Sequence, residues 1–284
     1  MKPNTIDKYK CTGCGLCVEQ CSHEILKPES NGKIRIQDGY CIECGHCIAV
    51  CPTGALGVNG KIPESVAVCP ASAEMLSILR SRRSMRKFLS KDVEDEKLRE
   101  LADYVRFAPT GTNSEATQVV FVKSPEKIQK LTDKLMKFYI RLNRITSFFL
   151  VRWLVLLFFP KEKALEMKKS LVRMIKRYKE KKDPLFHHSP VVVFMVFYGR
   201  NASTPKDDAC YALYNLVLGA ESMGLATCIN ELSVVAYKRM KRKIRRILGL
   251  PKQAKIYSCT SLGYPAYSYK RMVFRKPANY LVIL

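Results

Sequence analysis

A chain of 284 residues with 47% hydrophobic and 26% charged content can hold a small domain and a medium one, and its composition excludes disordered and collagen-like classes. Its formal charge of +24 is held unevenly: residues 1–70 carry seven Lys/Arg and seven Asp/Glu, so the other 42 basic and 18 acidic residues account for all of it. Such a field attracts acidic partners: a small acidic electron carrier, an anionic membrane surface, a phosphorylated ligand or nucleic acid.

Two cysteine runs come first. Cys11-Thr-Gly-Cys-Gly-Leu-Cys-Val-Glu-Gln-Cys21 and Cys41-Ile-Glu-Cys-Gly-His-Cys-Ile-Ala-Val-Cys51 both read C-x2-C-x2-C-x3-C. Thiolates are soft donors suited to iron, and in this spacing three cysteines of a run bind one 4Fe-4S cluster while the fourth ligates the other. The spacing therefore assigns Cys11, Cys14, Cys17 and Cys51 to one cluster, and Cys41, Cys44, Cys47 and Cys21 to the second. Gly13, Gly15 and Gly45 are expected to keep side chains clear of the sulfides. A disulfide framework would need an oxidising compartment, and the polar Met-Lys-Pro-Asn start does not resemble a secretory signal. Zinc knuckles usually separate their C-x2-C pairs by longer gaps. Pro52 follows the second run but Ser22 the first, a departure that leaves the ligand set intact. Lys33–Ile36 alternates as a short strand, and a module whose core is mostly clusters should fold poorly without them. The module is expected over 1–62, a linker containing Pro63 and Pro70 over 63–74, and a second domain over 75–284. Cys69, Cys210, Cys228 and Cys259 lack ligand spacing and read as apolar packing.

The second domain opens on a helix turning into Arg82, Arg83, Ser84 and Arg86, a concentration of guanidinium forks and a hydroxyl suited to a phosphate monoester. Val93–Phe107 reads as an amphipathic helix, Ala108-Pro-Thr-Gly-Thr-Asn113 as a turn and Val119–Val122 as a buried strand. Residues 134–182 hold fifteen Lys/Arg against three Asp/Glu and include the apolar run 148–159. At twelve residues, interrupted by Arg152, that run falls short of the ~20 a membrane span needs. A buried helix with a basic solvated partner is the first reading of this insert, and peripheral membrane contact the second. The basic run Lys238–Arg246, with Met240, Ile244 and Ile247 at helical spacing, reads as the exposed face of an ordinary helix. No zinc finger, recognition helix or stacking aromatics among the charges supports nucleic-acid binding. His187 or His188 could donate a proton at a site, but a capped loop histidine is the plainer reading.

R-R-S-x-R-x-F at Arg82–Phe88, the helix, A-P-T-G-T-N-S at Ala108–Ser114 and the strand together resemble the start of the FMN-dependent nitroreductase family. The resemblance resumes at His187–Val196, Asp207–Met223, Gly224–Glu231, Ser261–Pro265 and Arg275–Pro277. With the di-cluster module it covers most of the chain outside about 130–185. It implies an α+β fold: a small ferredoxin-like module followed by a flavin domain with a central mixed sheet, assembled as a two-fold homodimer. It also implies FMN contacts from Arg82, Arg83, Ser84, Arg86 and Arg275 to phosphate and ribityl, and from Thr110, Gly111 and Asn113 of the other subunit. Asn230 and Glu231 would lie at the flavin edge, supplying a backbone N–H. The family's frequent N-x-Q-P-W is replaced by Asn113-Ser-Glu-Ala-Thr117, so its substrate does not transfer.

The expected function is a cytoplasmic oxidoreductase, with a membrane-associated alternative. It would take electrons from an acidic low-potential carrier, ferredoxin or flavodoxin, through two 4Fe-4S clusters to FMN, and reduce a small nitro, quinone or enone acceptor. NAD(P)H is the leading alternative donor, although no G-x-G-x-x-G turn follows a strand. A non-catalytic carrier serving a membrane complex is the reading from another class.

Overall fold

The computed structural model describes residues 2–65, 69–148, 160–198 and 202–283. Contacts divide the chain into two compact units. The first comprises Met1–Pro70, Thr110–Glu115 and Asn201–Ser203; the second comprises Ala71–Pro109, Ala116–Arg200 and Thr204–Leu284.

The first unit is built twice over from one plan. A cysteine turn leads into a four-residue helix, α1 (Leu16–Glu19) or α2 (His46–Ala49), each opened by a left-handed glycine, Gly15 at φ 78° and Gly45 at φ 73°. Cys17 and Cys47 sit on these helices. Strand β1 (Thr5–Ile6) pairs antiparallel with β4 (Leu56–Gly57), and β2 (Leu26–Pro28) with β3 (Ile34–Ile36). The core is small: Cys11, Cys17 and Cys47 are buried with Leu26, Ile34, Ile48, Ala55 and Leu56. Three of those eight residues are thiols, so much of the core is donor atoms rather than hydrocarbon.

Gly13 serves differently from the sequence expectation. It holds φ 72°, and a Cβ placed on it would stand 1.9 Å from the backbone oxygen of Gly32, whereas nothing crowds Gly15 or Gly45. Backbone cannot yield as a side-chain tip can, and a left-handed alanine adds its own penalty of about 1–2 kcal/mol. Gly13→Ala should therefore cost more than about 3 kcal/mol, read as a lower urea midpoint for loss of visible cluster absorbance. An unchanged midpoint would show that the two turns can separate.

The second unit is a four-stranded sheet of order β5-β6-β8-β7, with β5 (Thr117–Val122), β6 (Val191–Phe197), β7 (Ala226–Ile229) and β8 (Lys255–Gly263). Every ladder in it is antiparallel, and its parallel element is one bridge, Ser84 to Thr227, at the β7 edge. All seven residues of β6 are buried. The period-2 alternation of a strand sends Val192, Phe194 and Val196 to one face and Val191, Val193 and Met195 to the other, and each set joins a separate core.

Helices cover both faces. On the first lie α5 (Pro125–Ile145), α6 (Lys161–Lys179) and α8 (Glu231–Leu248); on the second lie α3 (Ser72–Ser81), α4 (Asp95–Arg106) and α7 (Pro205–Ser222). Local sequence explains their limits. Ser124 caps α5 by accepting from Lys127 N–H at 3.2 Å, with Pro125 following, and α4 starts with Asp95 and Glu96 and buries Leu98, Leu101 and Val105. In α8, Ile244 is buried and Met240 and Ile247 pack partly, which turns the basic run outward. Helix α6 buries Ile175, packs Leu171, Met174 and Tyr178 partly against the same core, and carries its basic residues on the remaining surface. The apolar run Phe149–Phe159 lies outside the described residues. Among the described residues no helix is long and apolar enough to cross a membrane.

Candidate functional site

Each unit carries its own site. In the first, Cys11, Cys14, Cys17 and Cys51 line one cavity, together with Thr12, Gly13 and Gly15. The Cys51 side chain thus joins the other run. Burial pushes the Cys17 thiol up, and the charges of Cys51 and Cys14 add to it. Cys47 is pushed up to about 11, first by burial and then by Cys21, Cys44 and Cys41. Cys17 thus senses one thiol of its own turn and one from across, and Cys47 two of its own turn and one from across.

Backbone donors already face these sulfurs. Glu43 N–H lies 3.3 Å from Cys41 Sγ and Ala55 N–H 3.2 Å from Cys51 Sγ. Burial works against the Cys51 thiolate, but the Ala55 N–H and the Thr53 hydroxyl and N–H outweigh it and hold its pKa below the usual thiol range. Among the described residues no three His, Cys, Asp or Glu side chains are close enough to share a single metal ion. A zinc site draws its thiolates to about 2.3 Å from one ion, whereas a cubane gives each thiolate its own iron and holds the ligands wider apart. Four thiols lining one cavity, in a unit whose backbone donates to the sulfurs of Cys41 and Cys51, suit a group bound by soft thiolates.

In the second unit the site grows from the chain leaving α3. Arg82 ends that helix at φ −52° and ψ 127°, and the chain runs on extended along β7. Met85 N–H donates to Thr227 O at 2.9 Å, and Leu89 N–H to Tyr264 O at 2.9 Å. An extended chain alternates its side chains, so the arginines part company. Met85 is buried, and the Cys228 thiol is pushed up by burial against the lowering charges of Arg86 and Arg82. Arg83 turns instead to a separate cavity of about 530 Å³ with Arg80, Tyr267, Tyr269, Lys270 and Arg271. Arg83 lines this cavity, Arg82 and Arg86 act on Cys228, and the charge of Arg86 reaches Tyr269 on the cavity side as well.

Behind Arg86 lies the turn that precedes β6. Asp183 is buried and accepts from the N–H groups of Leu185 and Phe186 at 3.0 Å each and of His188 at 3.3 Å. The next two histidines are forced left-handed, His187 at φ 59° and His188 at φ 54°. His188 is the capped loop histidine, accepting from Asp183 N–H at 3.0 Å. His187 is different: its Nδ1 is buried without a partner, as are Nε of Arg82 and Nε of Arg83. Buried polar atoms without partners, in a stretch that also carries the charges of Arg82 and Arg86, fit an anionic group such as a phosphate ester.

Burial holds His187 below its usual 6.5, with Asp183 opposing and Arg177, Arg86 and His188 reinforcing the shift. The folded protein keeps this ring neutral, so below pH 6.5 the unfolded chain binds the proton more readily. Its contribution to stability is present above that pH and is lost as pH falls toward the folded value. The fall in urea midpoint from pH 7.5 to 5.5 should be shallower in His187→Asn, which tolerates the left-handed backbone; equal slopes would remove His187 from the titration.

The remaining expected site residues are dispersed. Asn230 caps α8, accepting from Ser233 N–H at 3.3 Å and donating its amide to Leu185 O, while its own N–H donates to Cys259 O at 2.8 Å. Glu231 accepts from the Ser258 hydroxyl at 2.5 Å. Thr110, Gly111 and Asn113 fall in the first unit, where the Asn113 amide donates to Ile42 O and Glu43 O. Arg275 lies on an exposed C-terminal segment. Cys228, read as packing, is buried as expected, and the pairing of Ser84 with its neighbour Thr227 brings the arginine stretch alongside its strand.

Residues 79–264 match the nitroreductase family, and residues 10–56 match the 4Fe-4S dicluster domain. A nitroreductase from Bacteroides fragilis, solved with bound FMN, superposes at TM-score 0.55 with 19% identity, covering 74% of this chain and 98% of that one. Of curated relatives, a ferredoxin of Pyrobaculum islandicum is 39% identical over 63 residues, 22% of this chain and 59% of that protein. The HadB protein of Ralstonia pickettii, described as a putative NADH dehydrogenase/NAD(P)H nitroreductase, is 38% identical over 61 residues, 22% of this chain and 31% of that protein. The sheet with helices on both faces, the arginine edge beside β7 and the extent of the family match all agree, and the chain belongs to the nitroreductase family.

Proposed function

We propose that the chain is an oxidoreductase that passes electrons from a low-potential donor through two 4Fe-4S clusters to FMN and on to a small organic acceptor of nitro, quinone or enone type. The observation that carries this reading is the meeting of Cys51 with Cys11, Cys14 and Cys17, in a chain whose other unit has the nitroreductase fold. Cys11, Cys14, Cys17 and Cys51 would hold one cluster, and Cys21, Cys41, Cys44 and Cys47 the other. Bound FMN would exchange single electrons with the clusters and deliver a pair as hydride from its N5 atom.

The chain's own residues have definite tasks in this reading. Arg82 and Arg86 would clamp the FMN phosphate with charge-assisted bonds, Ser84 would add a hydroxyl, and the neutral His187 would donate from a ring nitrogen. Because Asn230 N–H is already bonded, the donor at the flavin edge would be the N–H of Glu231, first in its helix and without an intrahelical acceptor. Thr110 and Gly111 would reach the FMN of a second subunit. A homodimer is supported by apolar side chains left exposed on the C-terminal segment, among them Phe274, Tyr280 and Leu281, and by Met75, Leu76 and Leu79 on α3. Arg275, on that same segment, would act across the dimer.

The donor would be an acidic carrier, ferredoxin or flavodoxin, drawn by the +24 charge that lies entirely outside residues 1–70. NAD(P)H is a second donor, favoured by the likeness to the HadB protein. Anaerobically reconstituted protein, checked for iron, sulfide and flavin, should be reduced by ferredoxin at a rate that falls steeply between 0.1 and 1 M salt, where screening shortens from about 10 Å to about 3 Å. Reduction by a neutral chemical reductant should be nearly flat. A ferredoxin rate independent of salt, with fast reduction by NAD(P)H, would transfer the donor role to the nucleotide. Protein that binds neither flavin nor iron would overturn the reading itself.

A further inference from the structure

The Cys41–Cys44 turn is held from outside its own run. Asn113, in the Thr110–Glu115 segment of the same unit, directs its side-chain amide at the carbonyl oxygens of Ile42 (3.3 Å) and Glu43 (3.2 Å), with the Glu115 carboxylate at 3.3 Å sharing its two hydrogens. The Ile42 carbonyl and the Glu43 N–H belong to one peptide group. That N–H in turn stands 3.3 Å from Cys41 Sγ. The result is a continuous relay: amide hydrogen to carbonyl, and across one peptide to a sulfur.

A donor on a carbonyl polarises its peptide and makes the N–H at the other end a stronger donor. Hydrogen bonds to the sulfurs are among the features that set the potential of a cluster, because they stabilise the extra negative charge of the reduced form. We propose that Asn113 is a positioning residue that raises the reduction potential of the cluster held by Cys41, Cys44, Cys47 and Cys21, acting through the Ile42–Glu43 peptide. The proposal rests on the two-cluster reading above.

The backbone on both sides of the contact is unusual in a way that suits a fixed relay. Glu43 (φ 58°), Thr112 (φ 55°), Asn113 (φ 53°) and Glu115 (φ 44°) all hold left-handed conformations that non-glycine residues rarely adopt. Each costs free energy and persists only where its surroundings fix it. Here those surroundings are the opposing turn. The family resemblance implies another task for Asn113, at a flavin; within this chain its amide is engaged by the second cysteine run.

The test is an anaerobic redox titration of the full reconstituted chain, followed by EPR, for wild type and Asn113→Ala. One of the two cluster potentials should become more negative by the equivalent of three- to tenfold in the reduction equilibrium, tenfold being about 59 mV for one electron. The other should stay in place, and the coupling of an exchangeable proton to the shifted cluster should weaken. A residue that only held the loop would leave the potential and the coupling where they were. Should Asn113→Ala fail to retain about eight irons, Asn113→Asp keeps the shape and the left-handed tolerance, loses the donor, and carries the same expectation. Two intact clusters with unmoved potentials, or both potentials moving together, would overturn the proposal while leaving the two-cluster reading standing. Wild-type protein that binds no cluster would overturn both.

Discussion

Cys51→Ser should lower the iron content of the reconstituted protein from about eight atoms per chain to about four, and the cluster lost should be the one of the other run. The reason is the cavity that Cys51 shares with Cys11, Cys14 and Cys17. Pairing the variants gives the decisive measurement, because substitutions within one ligand set cannot remove the same cluster twice. Cys17→Ser with Cys51→Ser should still hold about four irons, while Cys47→Ser with Cys51→Ser should hold none. The reverse pattern would mean that each run keeps its own cluster, and the crossed assignment would fall. The structural cost should be large too, since the thiols make up so much of the core of that unit.

The second large effect concerns FMN. Arg82→Ala and Arg86→Ala should each weaken its binding by roughly 10- to 150-fold, the equivalent of about 1.5–3 kcal/mol for a charge-assisted contact in a partly buried setting. Arg83→Ala should change it less than about threefold, because that side chain belongs to the cavity with Arg80, Lys270 and Arg271. Flavin fluorescence titration reads all three. Equal losses from Arg82, Arg83 and Arg86 would restore a single cradle, and no loss from Arg82 or Arg86 would remove the phosphate from this edge.

The contrast between Arg82 and Arg83 also marks where the sequence stops being informative. Duplicated cysteine spacing is a local code, and it already set Cys51 beside Cys11, Cys14 and Cys17, the thiols with which it lines a cavity. The helix α4 and the outward basic face of α8 were legible because their apolar residues repeat at helical spacing, whereas β6, an unbroken apolar run, and α7 were read from the family resemblance. The basic stretch at 82–86 has no such period, and its reading as a helix end placed all the arginines together. Its extended conformation comes from pairing with Thr227 and Pro265, partners about 140 and 180 positions away along the chain. A period of two across Arg82, Ser84 and Arg86, with the apolar Met85 between, was the available signal. The docking of Asn113 on the second cysteine run had no local signal, since both ends of that contact are turns whose left-handed residues are not glycines.

Strand β6 carries a consequence for handling the protein. Val191-Val-Val-Phe-Met-Val-Phe197 is seven residues without a charge, a proline or a glycine, and the native sheet hides all of them between two cores. Once heating parts the sheet, that segment is a strong template for intermolecular strand pairing, and association competes with refolding. Thermal unfolding should leave light-scattering aggregates in proportion to protein concentration, with an apparent midpoint that moves with scan rate. Durability on warming is then governed by how slowly β6 is uncovered, a lifetime set by the unfolding barrier rather than by an equilibrium free energy.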